Sequence, residues 1–145
     1  MEYDELMQQI KSAFADAPAP AEDNIVCHEC EECFALRDDV GGKIPDDLSD
    51  DWVERSFDQL PLLSDEAKRF YFPAFFRVAA LKPDSLVTQF TLFSLSDDFR
   101  MQPDGGYSPQ QKQAIRNLLA FLKPRVGDSE REYVEKAETL WQSDT

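Results

Sequence analysis

The stretch that decides the fold is FYFPAFFRVAAL, residues 70–81, the most apolar segment of the chain. A helix that is apolar on nearly every side belongs at the centre of a small bundle. Its aromatic rings could also line a ligand pocket, but their helical spacing within an apolar stretch favours a core role. Pro73 removes a backbone donor and crowds the preceding turn, so we expect it to kink this helix or to split it in two.

The residues just before this stretch carry the signals of a helix start. Ser64 is a favoured N-cap residue, and the apolar Leu63 precedes it. Asp65 and Glu66 suit the positive end of the helix dipole. We therefore expect a helix that begins at Ser64 and runs into the apolar stretch.

Apolar residues at helical spacing recur on both sides of this segment. Further helices are predicted over residues 2–15 and 29–39, after Ser49, after Ser108 and from about Ser129. Residues 86–93 fit a helix but are also rich in strand-preferring residues, and we favour a helix. The sequence therefore predicts an all-α fold, with residues 1–145 as a single-domain bundle of about six helices and possible minor strand content.

The charge is strongly negative and unevenly distributed. The formal net charge is −14, and residues 1–66 hold 19 Asp or Glu against 4 Lys or Arg, whereas residues 67–145 hold 10 against 11. An acidic surface repels phosphate backbones and anionic lipids, so nucleic acid and membranes are disfavoured as partners. It favours encounter with a basic protein, although it can also serve only to keep the chain soluble.

The composition favours a cytoplasmic protein. No run of about 18 apolar residues is present, so no transmembrane helix is expected. The N-terminus lacks the cationic and apolar regions of a signal peptide. Three cysteines within seven residues are too close together for a disulfide framework, which suits a reducing compartment.

The cluster Cys27-His28-x-Cys30-x-x-Cys33 contains the residue types that bind zinc. These four residues are the candidate metal ligands. We expect no cofactor, and a zinc ion bound by these residues is the alternative. Two features weaken this hypothesis: no second Cys or His group exists elsewhere, and three cysteines in one helix would point in different directions.

Redox chemistry and simple packing are the other interpretations of the three cysteines. A redox Cys-x-x-Cys normally opens a helix after a strand, and residues 24–26 are the best available strand. The flanking carboxylates disfavour a thiolate, and an iron–sulfur pattern would need a fourth cysteine. Packing cysteines remain the plainest interpretation.

Motifs of known catalytic sites are missing from the sequence. It has no phosphate-binding glycine loop, no His-Glu-x-x-His and no Gly-x-Ser-x-Gly. The acids from Asp46 to Asp51 lack the glycine and final glutamate of a calcium loop, so we interpret them as helix-capping and solvent-facing residues. We therefore expect no enzyme activity, with an enzyme carrying an unrecognised site as an alternative.

Three motifs together carry a resemblance: Cys27-His28-Glu29-Cys30-Glu31, the segment LSDEAKRFYFPAF at residues 63–75, and Tyr107-Ser108-Pro109-Gln110-Gln111 before a leucine-rich helix. Over residues 1–125 or so, the chain resembles a family of small bacterial proteins that carry a domain of unknown function. The resemblance implies the helical fold and a bacterial cytosolic setting, and it supplies no catalytic residues.

Three functional hypotheses follow from the sequence. The leading one is a non-catalytic interaction protein that engages a basic partner through its acidic half, for instance as an inhibitor or immunity-type factor. The second is a small zinc-binding module built on Cys27, His28, Cys30 and Cys33. The third is the enzyme with an unrecognised site.

Overall fold

The computed structural model describes residues 1–96 and 106–142, which form seven α-helices. The helices are α1 (Tyr3–Phe14), α2 (Glu31–Val40), α3 (Asp50–Arg55), α4 (Asp65–Leu81), α5 (Leu86–Leu95), α6 (Pro109–Leu122) and α7 (Asp128–Leu140). Short 3-10 helices lie between them at Glu22–Asn24, Pro45–Asp47 and Phe57–Leu62. The predicted all-α bundle of about six helices is confirmed. Extended pairing among the described residues is limited to one isolated antiparallel bridge, between Val26 and Leu63.

Helix α4 lies at the centre of the bundle and packs against α1, α3, α5 and α6. Ten of its 17 residues are buried. The rings of Phe72 and Phe76 stack with their centroids 4.8 Å apart, and Phe14 of α1 meets Phe76 edge-on at 6.0 Å. The predicted core role of this segment is thus confirmed.

Pro73 does not split the central helix, because α4 is continuous from Asp65 to Leu81. The split into two helices, one of the two expected outcomes, is therefore excluded, and a kink at Pro73 stays a prediction. A proline inside a helix costs about 3 kcal/mol. Burial of one large apolar side chain is worth roughly 1.5–3 kcal/mol, and Phe72, Phe75 and Phe76 are all buried. Packing of these rings therefore outweighs the hydrogen bond that is lost at Pro73.

The predicted helix caps are present. The hydroxyls of Ser49, Ser64 and Ser108 each accept a hydrogen bond, at 3.1 Å, from the backbone N–H three residues later. Gln111 returns a bond to the N–H of Ser108 at 2.9 Å, which completes a capping box. Past the end of α2, Gly42 adopts a φ of 76°, a conformation that favours glycine.

The remaining predicted helices are also confirmed. Residues 86–93 lie in α5 and not in a strand. The apolar stripe of α6 is buried, with Ile115, Leu118, Leu119 and Leu122 all fully covered. The sequence Asp104-Gly105-Gly106 predicts a turn before α6, and most of that turn lies outside the described residues. Among the described helices, none is long and apolar enough to cross a membrane.

Polar contacts made by Tyr71, Arg77 and the N-cap residue Ser64 join the α4 region to residues 24–50. The Tyr71 hydroxyl donates to the carbonyl of Val40, at 2.7 Å, at the end of α2. The Arg77 guanidinium donates to a carboxylate oxygen of Asp50, at 2.8 Å, at the start of α3. The Ser64 hydroxyl donates to the carbonyl of Asn24 at 2.5 Å. The rigid helix α4 therefore fixes the position of residues 22–50.

Candidate functional site: an acidic cleft beside the start of α2

Residues 22–30 are held against the chain that leads into α4. The N–H of Cys27 donates to the carbonyl of Leu62, and the N–H of Ser64 donates to the carbonyl of Ile25, both at 2.9 Å. Ile25 itself is buried. These bonds join segments almost forty residues apart in the sequence, and they place residues 22–29 beside helix α2.

A cleft of about 280 Å³ opens between these residues and α2. We call it the acidic cleft, and its lining residues are Glu22, Asp23, Val26, Cys27, His28, Glu29, Phe34 and Arg37. Its charged lining consists of three carboxylates against one guanidinium, whereas Val26 and Phe34 supply apolar surface. This combination suits a ligand with an apolar stem and a positively charged end.

Within the acidic cleft, the cationic side chain of Arg37 contacts the aromatic ring of Phe34. The Phe34 side chain is 38% exposed, and the guanidinium carbon of Arg37 lies 4.8 Å from the centre of its ring. A cation at this distance from an aromatic face is attracted by the negative face of the ring. The protein's own arginine therefore already occupies one position in the cleft that favours positive charge.

The carboxylates of this region are largely available to solvent. Of the 19 Asp and Glu in residues 1–66, 17 are exposed. Ion pairs among the described residues engage four of the 19, namely Asp38, Asp46, Asp50 and Glu54. The three carboxylates of the acidic cleft are not among those four, so their charge is not offset by an ion pair within the described structure.

The start of α2 separates the three cysteines. The predicted helix over residues 29–39 begins two residues later, at Glu31, and extends to Val40. Cys30 is its N-cap residue, with extended backbone, and its sulfur accepts a hydrogen bond from the N–H of Cys33 at 3.3 Å. Cys27 lies outside the helix, with its sulfur 3.7 Å from the carbonyl oxygen of Pro61. Cys27 therefore lies outside α2, as it also lies outside the predicted helix over residues 29–39.

Exposure also distinguishes the cysteines. Cys27 and Cys30 are exposed, whereas Cys33 is buried, and all three thiols are free. Burial raises the pKa of the Cys33 thiol. A hydrogen bond with the Cys30 side chain raises this pKa further, and the backbone N–H of His28 partly offsets both effects. Cys33 is thus held as a neutral thiol next to the exposed sulfur of Cys30.

The four predicted metal ligands occupy two different environments. Cys27 and His28 are exposed and line the acidic cleft, whereas Cys33 is buried and Cys30 caps α2. Within residues 1–96 and 106–142, no group of three or more His, Cys, Asp or Glu side chains is arranged to hold a metal ion. The zinc site stays a prediction from the sequence pattern.

A second concavity, an apolar groove of about 330 Å³, lies between α1, α4 and the Pro45–Asp47 turn. Phe70 and Pro73 line it, so the aromatic stretch is mostly core but does contribute one ring to a groove. Its charged lining residues are Lys11, Asp46 and Arg77. Asp46 pairs with Lys11, and Arg77 pairs with Asp50, so this groove carries no excess of negative charge.

Sequence reasoning found the cysteines and the acidic half but missed the acidic cleft. Glu22, Asp23, Glu29 and Phe34 come together because residues 22–29 fold back beside α2, and this depends on contacts with residues 62–64. The only sequence signal was the local density of acids around one aromatic residue. Comparison of the chain with protein-family models, with curated proteins and with solved structures finds no match, so the family resemblance stays a prediction.

Proposed function

We propose that the chain is a non-catalytic protein-interaction module whose acidic cleft receives a lysine or arginine side chain of a basic partner protein. The observation that carries this proposal is the lining of the cleft, in which the carboxylates of Glu22, Asp23 and Glu29 occur together with the exposed ring of Phe34. An inhibitor or immunity-type factor for a basic protein fits this surface. The excess negative charge of residues 1–66 supports the same partner, because it accelerates encounter with a cationic surface.

The interaction energies of a single inserted side chain are too small to give a stable complex with the partner. The Arg37 guanidinium already lies over the Phe34 ring, so an inserted side chain gains mainly from ion pairs with the three carboxylates of the cleft. An exposed ion pair contributes roughly 0.2–1 kcal/mol. One side chain in the acidic cleft therefore gains only about 1–3 kcal/mol, far less than the 8 kcal/mol or so of a micromolar complex. We therefore expect a partner with several basic residues, one in the cleft and others along the surrounding acidic surface.

This proposal also concerns which partners are disfavoured and where in the cell the protein acts. The exposed carboxylates disfavour nucleic acid and anionic membranes as partners, since both would bring like charges together. We place the protein in the cytoplasm, where its three free thiols would stay reduced. The electrostatic part of such binding weakens as salt rises.

Calorimetric titration with a hexaarginine peptide tests the proposal. We expect the variant Glu22→Gln/Asp23→Asn/Glu29→Gln to lose about tenfold in affinity at low salt, because it removes the carboxylates of the cleft. The matched control is Asp16→Asn/Asp51→Asn/Asp58→Asn, which removes three exposed charges from the same half outside the cleft. Equal losses in the two variants would show that the whole acidic surface binds and that the cleft has no special role.

A further inference from the structure

We propose that Cys30 and Cys33 are a dithiol–disulfide exchange pair, and that their substrate is a disulfide on a positively charged molecule. The proposal of an exchange pair rests on the positions of the two cysteines and does not depend on the function of the acidic cleft. The charge of the substrate rests on the proposed function of the acidic cleft. Cys27 is not part of the pair.

The first turn of α2 places the two sulfurs within reach of each other. The Cys30 sulfur lies 3.3 Å from the backbone nitrogen of Cys33, which is only three bonds from the Cys33 sulfur. One helical turn separates the two Cα atoms by roughly 5 Å, within the 4.4–6.8 Å that a disulfide spans. A disulfide can therefore close without unwinding the helix.

The two thiols differ in the way that an exchange reaction requires. Cys30 is exposed and can meet a substrate, whereas Cys33 is fully buried next to Cys30. The N–H of Cys33 donates to the Cys30 sulfur, which holds this exposed sulfur beside the buried thiol at the start of α2. The geometry assigns Cys30 as the attacking residue and Cys33 as the resolving residue.

The exchange takes place in two balanced steps. The Cys30 thiolate attacks one sulfur of the substrate disulfide, so that a mixed disulfide forms and the other half leaves as a thiolate, which takes up a proton. Cys33 then loses its proton and attacks the Cys30 sulfur, which releases the second half of the substrate as a thiol. The substrate disulfide gains two electrons and two protons, and the protein ends with a Cys30–Cys33 disulfide.

Charges around Cys30 select the substrate. Glu29, Glu31 and Glu32 are all exposed and lie within two residues of Cys30 in the chain. Glu29 also belongs to the acidic cleft, which lies directly before α2. An anionic disulfide would be repelled from this surface, whereas a cationic disulfide would be concentrated at it.

Mass mapping after reaction of the reduced protein with cystamine, a small cationic disulfide, tests the pair. We expect an intramolecular Cys30–Cys33 disulfide in the native chain and in Cys27→Ser, which serves as the control. In Cys33→Ser we expect a stable mixed disulfide of cysteamine on Cys30, since no resolving thiol remains. A disulfide to Cys27, a mixed disulfide that persists in the native chain, or zinc bound at one per chain with Cys30 and Cys33 protected would each overturn the pair.

Comparison of the reaction rate with cystamine and the rate with a matched neutral disulfide, bis(2-hydroxyethyl) disulfide, tests the charge preference for the substrate. Each rate is divided by that of a small free thiol, because the leaving groups differ in acidity. We expect cystamine to react up to about tenfold faster at low salt, and this preference to fall at high salt and in Glu29→Gln/Glu31→Gln/Glu32→Gln. Equal normalised rates would overturn the assignment of a cationic substrate. Pair formation is read separately by mass and does not depend on whether the acidic cleft binds peptides.

Discussion

Helix α4 and the segment 22–37, which forms the acidic cleft, use their side chains in opposite ways. Helix α4 buries ten of 17 residues and connects to four other helices. In residues 22–37 only Ile25, Cys33 and Leu36 are buried, and every carboxylate is exposed. The comparison indicates that α4 determines the fold, whereas the charged residues of the segment 22–37 contribute little to stability and are available for binding.

The two regions are nevertheless joined by specific contacts. The Ser64 hydroxyl caps α4 and also donates to the carbonyl of Asn24. The N–H of Cys27 and the carbonyl of Leu62 extend this connection. The base of segment 22–37 is therefore hydrogen-bonded to the residues that lead into α4, while its charges face solvent.

The largest expected effect on stability is the loss on truncating a phenylalanine of α4, compared with truncating a phenylalanine of the segment 22–37. Phe76 is fully buried in α4, so Phe76→Ala should lower the free energy of unfolding by about 3–5 kcal/mol. Phe34 is 38% exposed, so Phe34→Ala should lower it by about 1 kcal/mol or less. Urea denaturation of both variants measures the difference, and similar losses would contradict the division into a buried scaffold, α4, and an exposed acidic segment, 22–37.

A medium effect is expected where the two regions meet. Ser64→Ala removes a helix cap and the donor to the Asn24 carbonyl, so it should lower the free energy of unfolding by about 1–2 kcal/mol. It should also speed hydrogen exchange at the N–H of Cys27. Ser49→Ala is the matched control, because Ser49 caps α3 but makes no such contact with residues 22–29. If both variants exchange alike at Cys27, α4 does not hold the cleft through Ser64.

The smallest expected effect on stability concerns the carboxylates of the acidic cleft. Glu22→Gln/Asp23→Asn/Glu29→Gln should change the free energy of unfolding by no more than about 0.5 kcal/mol, because these side chains are exposed. Asp50→Asn should lower it by about 1 kcal/mol, because Asp50 accepts a hydrogen bond from the half-buried Arg77. A large loss in the triple variant, measured by urea denaturation, would mean that the cleft is structural.

The helices could be predicted from the sequence because their signals are local. Ser64, Ser49 and the Ser108–Gln111 pair act within one turn, and apolar spacing of 3.6 residues identifies the faces that pack. The split expected as one outcome at Pro73 did not occur, because burial of neighbouring rings overrides the local rule there. Tertiary packing decides that case, and a single sequence does not show it.

The candidate site was less accessible to prediction. The spacing of the cysteines indicated that they lie close together, but not that α2 begins at Glu31 and leaves Cys30 as an exposed cap over a buried Cys33. The acidic cleft depends on hydrogen bonds between residues 24–27 and residues 62–64, which are far apart in the chain. No periodicity within residues 22–37 encodes those contacts.

Backbone chemical-shift mapping by NMR, during titration with the hexaarginine peptide at low salt, tests the central claim most directly. We expect the largest shift changes at residues 22–37 that line the acidic cleft, with the amide signals of α4 unchanged. Shift changes spread evenly over the exposed acids of residues 1–66, or concentrated at the apolar groove beside α1, would contradict the account.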